Sequence, residues 1–360
     1  MSPASPPVSL AHFTTLRLGG PACEFLAAAT EPALCDAITA ADRDGTPVLV
    51  LGGGSNLVVA DEGFDGRVVH VATRGVTAHT HAGRVTLEAS AGEPWDALVA
   101  LTVTRGWAGL ECLSGIPGTV GATPIQNVGA YGQEVSETIT RVRCLDRRSR
   151  EVVTLDREAC GFTYRSSVFK GPGRGRLVVL SVTFELRPGG SPAARYAELS
   201  RALEGEGAPS LQRVRDTVLA LRKRKGMVLD PEDPDTVSAG SFFTNPVVSA
   251  TVAAEVERRA RALGALSEGE RCPQWPAEGG RVKLAAAWLL ERAGVSRGTR
   301  QGGAGVSTKH SLALVNRGGT TRELLALAVY ARDAVWRAFG VELWPEPELV
   351  GVSWSPCGAG

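Results

Sequence analysis

The chain has 360 residues, 43% hydrophobic and 21% charged, and its 39 basic and 38 acidic side chains leave a net charge of +1. That length accommodates two or three domains with real cores, and the balanced charge argues against a nucleic-acid or membrane-surface role and for small-molecule or protein partners. No apolar run approaches the roughly 20 residues of a membrane span, and the opening MSPASPPVSLAHF lacks the basic region and apolar core of a signal peptide, so a cytoplasmic protein is expected. Seven scattered cysteines with no CxxC pair argue against a disulfide framework or a zinc site and are expected to be buried, reduced thiols. Five histidines without an HExxH motif complete the expectation that no metal is bound.

Residues 1–13, rich in Pro and Ser, are expected to be mobile. TTLRLGGPACEFLAAA reads as a short strand, a turn at Gly19, Gly20 and Pro21, and a second strand, and EPALCDAITAADRDG as a helix with a glycine stop. In PVLVLGGGSNLVVA two apolar runs flank GGGSN, which predicts strand, loop, strand. A Rossmann unit would instead enter a helix after its glycines and carry an acid about 20 residues on. Residues 52–56 can still present backbone N–H groups to a phosphate. Alternation over 66–91 predicts half-exposed strands, and EPWDALVALTVTRGW an amphipathic helix.

The stretch GIPGTVGATPIQNVGAYG, residues 115–132, contains no Lys, Arg, Asp or Glu. Glycine permits positive φ and close approach of backbone to another body, and successive bare N–H groups make a concave nest for a phosphate or pyrophosphate. The alternative is a tight structural loop between strands. After it come two strands joined by a basic turn (TRVRCLDRRSREVVTLDREAC), then GFTYRSSVFKGP, then the strand RLVVLSVTFELRP. Composition changes near 189–192. RYAELSRALEG and SLQRVRDTVLALRKRKG are predicted helices, and a polar loop leads into VSAGSFFTNPVVS. Helices over 251–264, 282–293 and 320–339 alternate with a strand at SLALVN, and the chain closes on extended VELWPEPELVGVSW, an α+β pattern.

Three places outside the glycine stretch concentrate polar chemistry. Arg165 in GFTYRSSVFK is always charged and forks toward carboxylates; a surface salt bridge is its other reading. Ser241 in AGSFFTNP follows a glycine that frees the backbone and precedes two anchoring phenylalanines; it suits a cap or turn as well. With no GxSxG elbow in the chain, a hydrolase nucleophile is disfavoured. In WPEPE the prolines flanking Glu346 fix an extended path that sends alternate side chains, Glu346 and Glu348 among them, along defined faces.

In this order GGGSN, GIPGTVGATPIQNVGAYG, YRSSVFK, AGSFFTNP, GAGVSTKHSLALVN and WPEPE resemble the UDP-N-acetylenolpyruvoylglucosamine reductase family of peptidoglycan synthesis, from about residue 14 to residue 351. The resemblance implies an α+β fold: a two-lobed FAD-binding domain of the vanillyl-alcohol-oxidase (PCMH) type and a separate α+β substrate-binding domain. The implied layout is FAD lobes at 14–72 and 73–205, a substrate domain at 206–343 and a C-terminal segment, 344–360, returning to the active site.

It further implies FAD bound without a covalent link, NADPH as hydride donor, a UDP-sugar substrate and a monomer. FAD would be held by Gly52, Gly53, Gly54, Ser55 and Asn56, and by Gly115, Ile116, Pro117, Gly118, Gly121, Ala122, Ile125, Gln126, Asn127 and Gly129. Hydride reaches C3 of the enolpyruvyl ether and a proton reaches C2. By the resemblance Arg165 polarises the substrate carboxylate, Glu348 assists it, and Ser241 donates the proton. Tyr131, Tyr164, Tyr196, Lys225 (or Lys223) and Asn245 would bind substrate, Tyr196 being the mark of members with an extra closing loop. Two rivals are a flavin oxidase of the same superfamily and a non-catalytic nucleotide-binding protein. Such oxidases often tether FAD through His or Cys, which GGGSN lacks, and mere binding requires no proton donor.

Overall fold

The computed structural model describes residues 7–193, 196–205, 207–267 and 269–357. The chain forms two compact units, one built mainly from Ala22–Gly54 and Asp65–Val228, the other from Ser9–Pro21, Ser55–Phe64 and the chain from Leu229 onward.

The first unit is organised on the strand Leu177–Pro188, whose residues from Val178 through Phe184 are all buried. That is why its sequence is a continuous apolar run rather than an alternation. It pairs antiparallel with Ile139–Asp146 on one side and Arg84–Ser90 on the other, and Glu151–Asp156 and Val76–His81 extend the sheet outward. At that edge His79 and His81 are exposed. The core of this unit joins Trp95, Leu98 and Val99 of the helix Trp95–Thr104 to Leu87, Val142, Val182 and Phe184 of the sheet. The helix Glu31–Asp44 starts where the Thr30 side chain accepts the Ala33 N–H and stops at Gly45, left-handed at φ 70°. A separate cluster packs Val214, Val218 and Leu221 of the helix Leu211–Arg224 around Cys112 and Leu199. The boundary expected at residue 206 therefore falls inside this unit: the apolar face of Leu211–Arg224 is buried here, at contacts too distant in sequence for a composition break to mark.

In the second unit one sheet runs Ser238–Ser241, Ala313–Asn316, Ala304–Val306, Arg300–Gln301, and another pairs Arg281–Leu284 with Val247–Val248 and Gln274–Ala277. Helices Ala250–Ala262, Ala286–Arg292 and Thr321–Phe339 supply much of its core, including Val256, Leu289, Leu327 and Val335. Thr321–Phe339 opens with a capping box between Thr320 and Glu323 and ends at Gly340, left-handed at φ 69°. The strand Leu57–Val59 pairs parallel with Glu348–Val350.

Three local expectations change. Residues 14–18 form a closed turn rather than a strand: the Thr14 hydroxyl donates to Leu18 O at 2.8 Å and accepts the Leu18 N–H at 3.1 Å. Residues 281–284 are strand, not the start of a helix, because they pair on both edges with segments 7 and 34 residues away. Of the segment 1–13 expected to be mobile, residues 1–6 lie outside the described residues, while Leu10–Phe13 form a 3-10 turn with Leu10 buried.

Candidate active site

The strand Val48–Leu51 delivers residues 52–54 to the glycine stretch. A Cβ on Gly53 would lie 2.7 Å from Gly118 Cα, and one on Gly52 2.8 Å from Thr119 Oγ1. At Gly53 backbone meets backbone, which only glycine allows. Gly54 is buried with φ 58°, and Gly118 has φ 117°. Among the described residues no protein acceptor takes the N–H groups of Gly53, Gly54, Gly118 or Thr119. Unspent N–H donors on two touching loops fit an anionic diphosphate, as the FAD expectation requires.

The far half of the stretch is laced rather than open. Asn127, 1% exposed, donates through Nδ2 to Glu134 Oε2 at 2.8 Å and to Thr163 O at 3.2 Å, and its Oδ1 accepts the Ser136 N–H at 3.1 Å. Ser167 Oγ donates to Ile125 O at 2.6 Å. Thr163 and Ser166 exchange backbone hydrogen bonds of 3.0 and 3.2 Å, closing a tight loop with Tyr164 and Arg165 at its tip. Arg165 is held at φ 53°, and its guanidinium donates to Gly129 O at 2.9 Å and to Asn127 O at 3.4 Å, with Cζ 5.6 Å from the Tyr164 ring centre. Asn127 (φ 45°) and Tyr131 (φ 51°) are left-handed as well. Three non-glycine residues in this uncommon region, gathered where the 163–166 loop meets the glycine stretch, mark a place where conformation is held against local preference.

Tyr131 and Tyr196 meet edge to face at 5.8 Å. Lys225, just past the helix Leu211–Arg224, puts Nζ 5.8 Å from the Tyr131 ring centre and 2.6 Å from Glu198 Oε2. Burial pushes the Tyr131 phenol up to about 12, so this ring stays neutral. The first unit thus brings together Gly52 and Gly53 with Gly118 and Thr119, Arg165 with Asn127 and Gly129, and Tyr131 with Tyr196 and Lys225. Lys223 is exposed on that helix.

In the second unit Ser241 ends the strand Ser238–Ser241, paired opposite Ala313. Its anchors Phe242 and Phe243 are each 1% exposed, and Gly240 turns at φ 77°. The segment after this strand and the WPEPE segment run side by side: Glu346 N donates to Phe242 O at 2.8 Å and Thr244 N to Trp344 O at 3.1 Å. Asn56 joins them, its Nδ2 donating to Glu346 O at 3.3 Å and its O accepting the Glu348 N–H at 2.9 Å. The expected residues Ser55, Asn56, Ser241 and Glu348 therefore lie on adjoining segments of one unit. Asn245 spends Oδ1 on the Ala286 N–H at 2.9 Å, starting the helix Ala286–Arg292, so its side chain also has a structural role.

One residue was missed. His310 Nε2 comes within 3.4 Å of Ser241 Oγ. The only sequence signal was a histidine in GAGVSTKHSLALVN; contact across 69 positions was not readable.

The cysteines are all free, but Cys23 is exposed and Cys35 and Cys357 are half-buried, against the expectation that all are buried. Burial pushes the Cys144, Cys160 and Cys272 thiols up to about 12, which makes them poor nucleophiles at neutral pH. Among the described residues no group of three or more His, Cys, Asp or Glu could hold a metal ion, and no helix is long and apolar enough to cross a membrane.

Touching glycine loops with unspent N–H groups, on a sheet-based unit, suit a bound dinucleotide, and residues 24–156 match the family model described as FAD binding domain, which places the chain among the FAD-dependent oxidoreductases. Residues 230–350 match the model described as UDP-N-acetylenolpyruvoylglucosamine reductase, C-terminal domain. The chain is 55% identical over 350 residues to the UDP-N-acetylenolpyruvoylglucosamine reductase of Saccharopolyspora erythraea, covering 95% of this chain and 94% of that one. It is 53% identical to the reductase of the same name from Streptomyces coelicolor, covering 96% and 89%. A crystal structure of UDP-N-acetylenolpyruvylglucosamine reductase from Thermus caldophilus superposes with a TM-score of 0.64 at 25% identity, covering 96% of this chain and 98% of that one. The chain belongs to the UDP-N-acetylenolpyruvoylglucosamine reductase family.

Proposed function

We propose that Arg165, Ser241 and Glu348 carry the substrate half of this enzyme's reaction. The chain is an FAD-dependent oxidoreductase that reduces UDP-N-acetylenolpyruvoylglucosamine to UDP-N-acetylmuramate at the expense of NADPH, in peptidoglycan precursor synthesis. Bound FAD supplies the hydride, taken from NADPH, that adds at C3 of the enolpyruvyl ether. Everything else falls to the side chains and backbone of this protein.

The segments 52–56 and 115–129 hold the cofactor, with the unspent backbone N–H groups of Gly53, Gly54, Gly118 and Thr119 turned to its diphosphate and Gly115 shaping the start of the loop. Addition at C3 leaves negative charge on C2 and its conjugated carboxylate, so fixed positive charge at that carboxylate lowers the barrier. Arg165 suits that role, because its planar fork is oriented in advance by the carbonyls of Gly129 and Asn127. Glu348, on a strand fixed by Asn56 and Leu57, assists it. Ser241 Oγ gives the proton to C2. A hydroxyl is a weak acid, but the developing carbanion or enol is a strong base, and placement decides the rate. His310 Nε2 is placed to return a proton to Ser241 Oγ. Tyr131, Tyr164, Tyr196 and Asn245 bind substrate, and Lys225 meets its diphosphate. The protein acts in the cytoplasm, a reducing compartment that suits seven free thiols, and it acts as a monomer.

The observation that carries this reading is Arg165, held left-handed with its guanidinium turned onto the glycine loop. The test is to purify the protein, record its flavin spectrum, and follow NADPH oxidation with and without UDP-N-acetylenolpyruvoylglucosamine. Arg165→Lys is expected to lower substrate-dependent turnover sharply; near-normal turnover would remove Arg165 from the mechanism.

A further inference from the structure

We propose that Asp96 and Arg215 are positioning residues for the flavin: as a pair they set the start of the glycine loop against the helix that ends at Lys225. The proposal rests on the reading of 115–129 as the FAD cradle.

Asp96 stands in the first turn of Trp95–Thr104, and its Oδ1 accepts the Gly115 N–H at 2.6 Å. Arg215, on Leu211–Arg224, grips the same carboxylate with both arms, at 2.7 and 2.8 Å. Burial alone would raise the Asp96 pKa, but Arg215 and the Gly115 N–H together hold it below the usual carboxylate range. Exposed ion pairs are usually worth little because two long side chains are ordered for a screened attraction. This pair is sheltered on one side, the Arg215 side chain being 11% exposed and that of Asp96 40%, and it differs mainly in geometry: the contact is bidentate, and the carboxylate is already aimed by a backbone donor.

The loop start has little slack. Gly115 is left-handed at φ 72°, and a Cβ there would meet Leu219 Cδ2 at 2.7 Å and Val228 Cγ2 at 3.1 Å. Trp95 adds two bonds, from its N to Gly118 O at 3.0 Å and from Nε1 to Leu113 O at 3.1 Å. Val120 N to Glu93 O at 2.9 Å and Gly121 N to Ala91 O at 2.8 Å continue the series. The segment 91–96 is thus a template for 113–121, and the Asp96–Arg215 pair is its charged end. Because Arg215 and Lys225 belong to one helix and its cap, the pair also ties the cofactor loop to the lysine expected at the substrate diphosphate.

The experiment measures FAD release from holoenzyme after dilution, by recovery of free-flavin fluorescence, in Asp96→Ala, Asp96→Asn and Asp96→Ala/Arg215→Gln. Melting is recorded alongside at saturating FAD. A hydrogen-bonded charged group of this kind sets a scale of about 10- to 100-fold. Asp96→Ala is expected to release FAD faster by that factor, with Asp96→Asn between it and wild type, since the amide oxygen keeps the Gly115 bond. The double variant should release no faster than Asp96→Ala. Wild-type release rates in both Asp96 variants, with lowered melting, would make the pair a packing contact only and overturn the proposal. Faster release in the double variant would overturn the claim that the two act as one. A wild-type protein that holds no flavin would instead sink the cradle reading, and this proposal with it.

Discussion

Ser241 Oγ and His310 Nε2 stand 3.4 Å apart, on chain segments 69 residues distant. The hydroxyl ends a strand held by two buried phenylalanines, so its place is set by packing and not by the histidine. Ser241→Ala is therefore expected to keep the fold and reduction of the flavin by NADPH, while slowing reoxidation by the enolpyruvyl substrate by roughly 10²-fold or more, the scale of a lost general acid. Stopped-flow measurement of the two half-reactions separates these outcomes. Equal slowing of both would mean that Ser241 is structural.

Arg165 carries its own thermodynamic signature. A non-glycine residue at φ 53° is strained by about 1–2 kcal/mol, and glycine at the same place would not be. Arg165→Gly is expected to melt within a few degrees of wild type or above it, yet lose substrate turnover by about 10²-fold or more. This is the mark of strain kept for function. A melting point that falls along with turnover would show that the side chain mainly holds the loop together.

The sequence displayed what is local. GGGSN between two apolar runs became strand, loop, strand, and the helix expected over 320–339 runs from Thr321 to Phe339. What depended on distant pairing stayed hidden. Residues 281–284 become a strand only because Gln274–Ala277 and Val247–Val248 border them. Leu211–Arg224 belongs to the first unit because its apolar face finds Cys112 and Leu199. His310 and the Asp96–Arg215 pair, 119 residues apart in sequence, have no spacing signature at all.

Close approach at the cradle makes a sharp contrast between two glycines. Gly53→Ala would drive a methyl group to 2.7 Å from the Gly118 backbone, whereas a Cβ on Gly45, at φ 70°, meets nothing within 4 Å. Gly53→Ala is expected to be isolated with little or no flavin. Gly45→Ala should hold flavin as wild type does and lose about 1–2 kcal/mol of stability from the left-handed backbone alone. Visible absorbance per protein, with urea denaturation, tests both; full flavin content in Gly53→Ala would mean that the loops do not close on the cofactor.

Stability in acid should report Asp235, which precedes the strand of Ser241. This side chain is 3% exposed and accepts bonds from Thr308 N at 3.3 Å, Thr308 Oγ1 at 2.5 Å and the Arg317 guanidinium. Burial would raise its pKa, but Thr308 and Arg317 outweigh it and hold the carboxyl below its ordinary value. A carboxylate with a depressed folded pKa contributes stability that is fully present above the unfolded value, about 3.9. That contribution is lost as pH falls through the folded value. At pH 7, Asp235→Asn leaves the Arg317 charge, 13% exposed, without its counter-ion, a change expected to cost about 3–5 kcal/mol. Below about pH 4 the unfolded chain takes up the proton first, and the native carboxyl becomes neutral only as pH falls through its depressed folded value, so the gap between the two proteins should narrow progressively toward pH 2. Urea denaturation of both at several pH values measures the gap. A gap that stays constant from pH 7 down to pH 2 would mean that the charge on Asp235 contributes nothing, and that the hydrogen bonds alone fix the approach to Ser241.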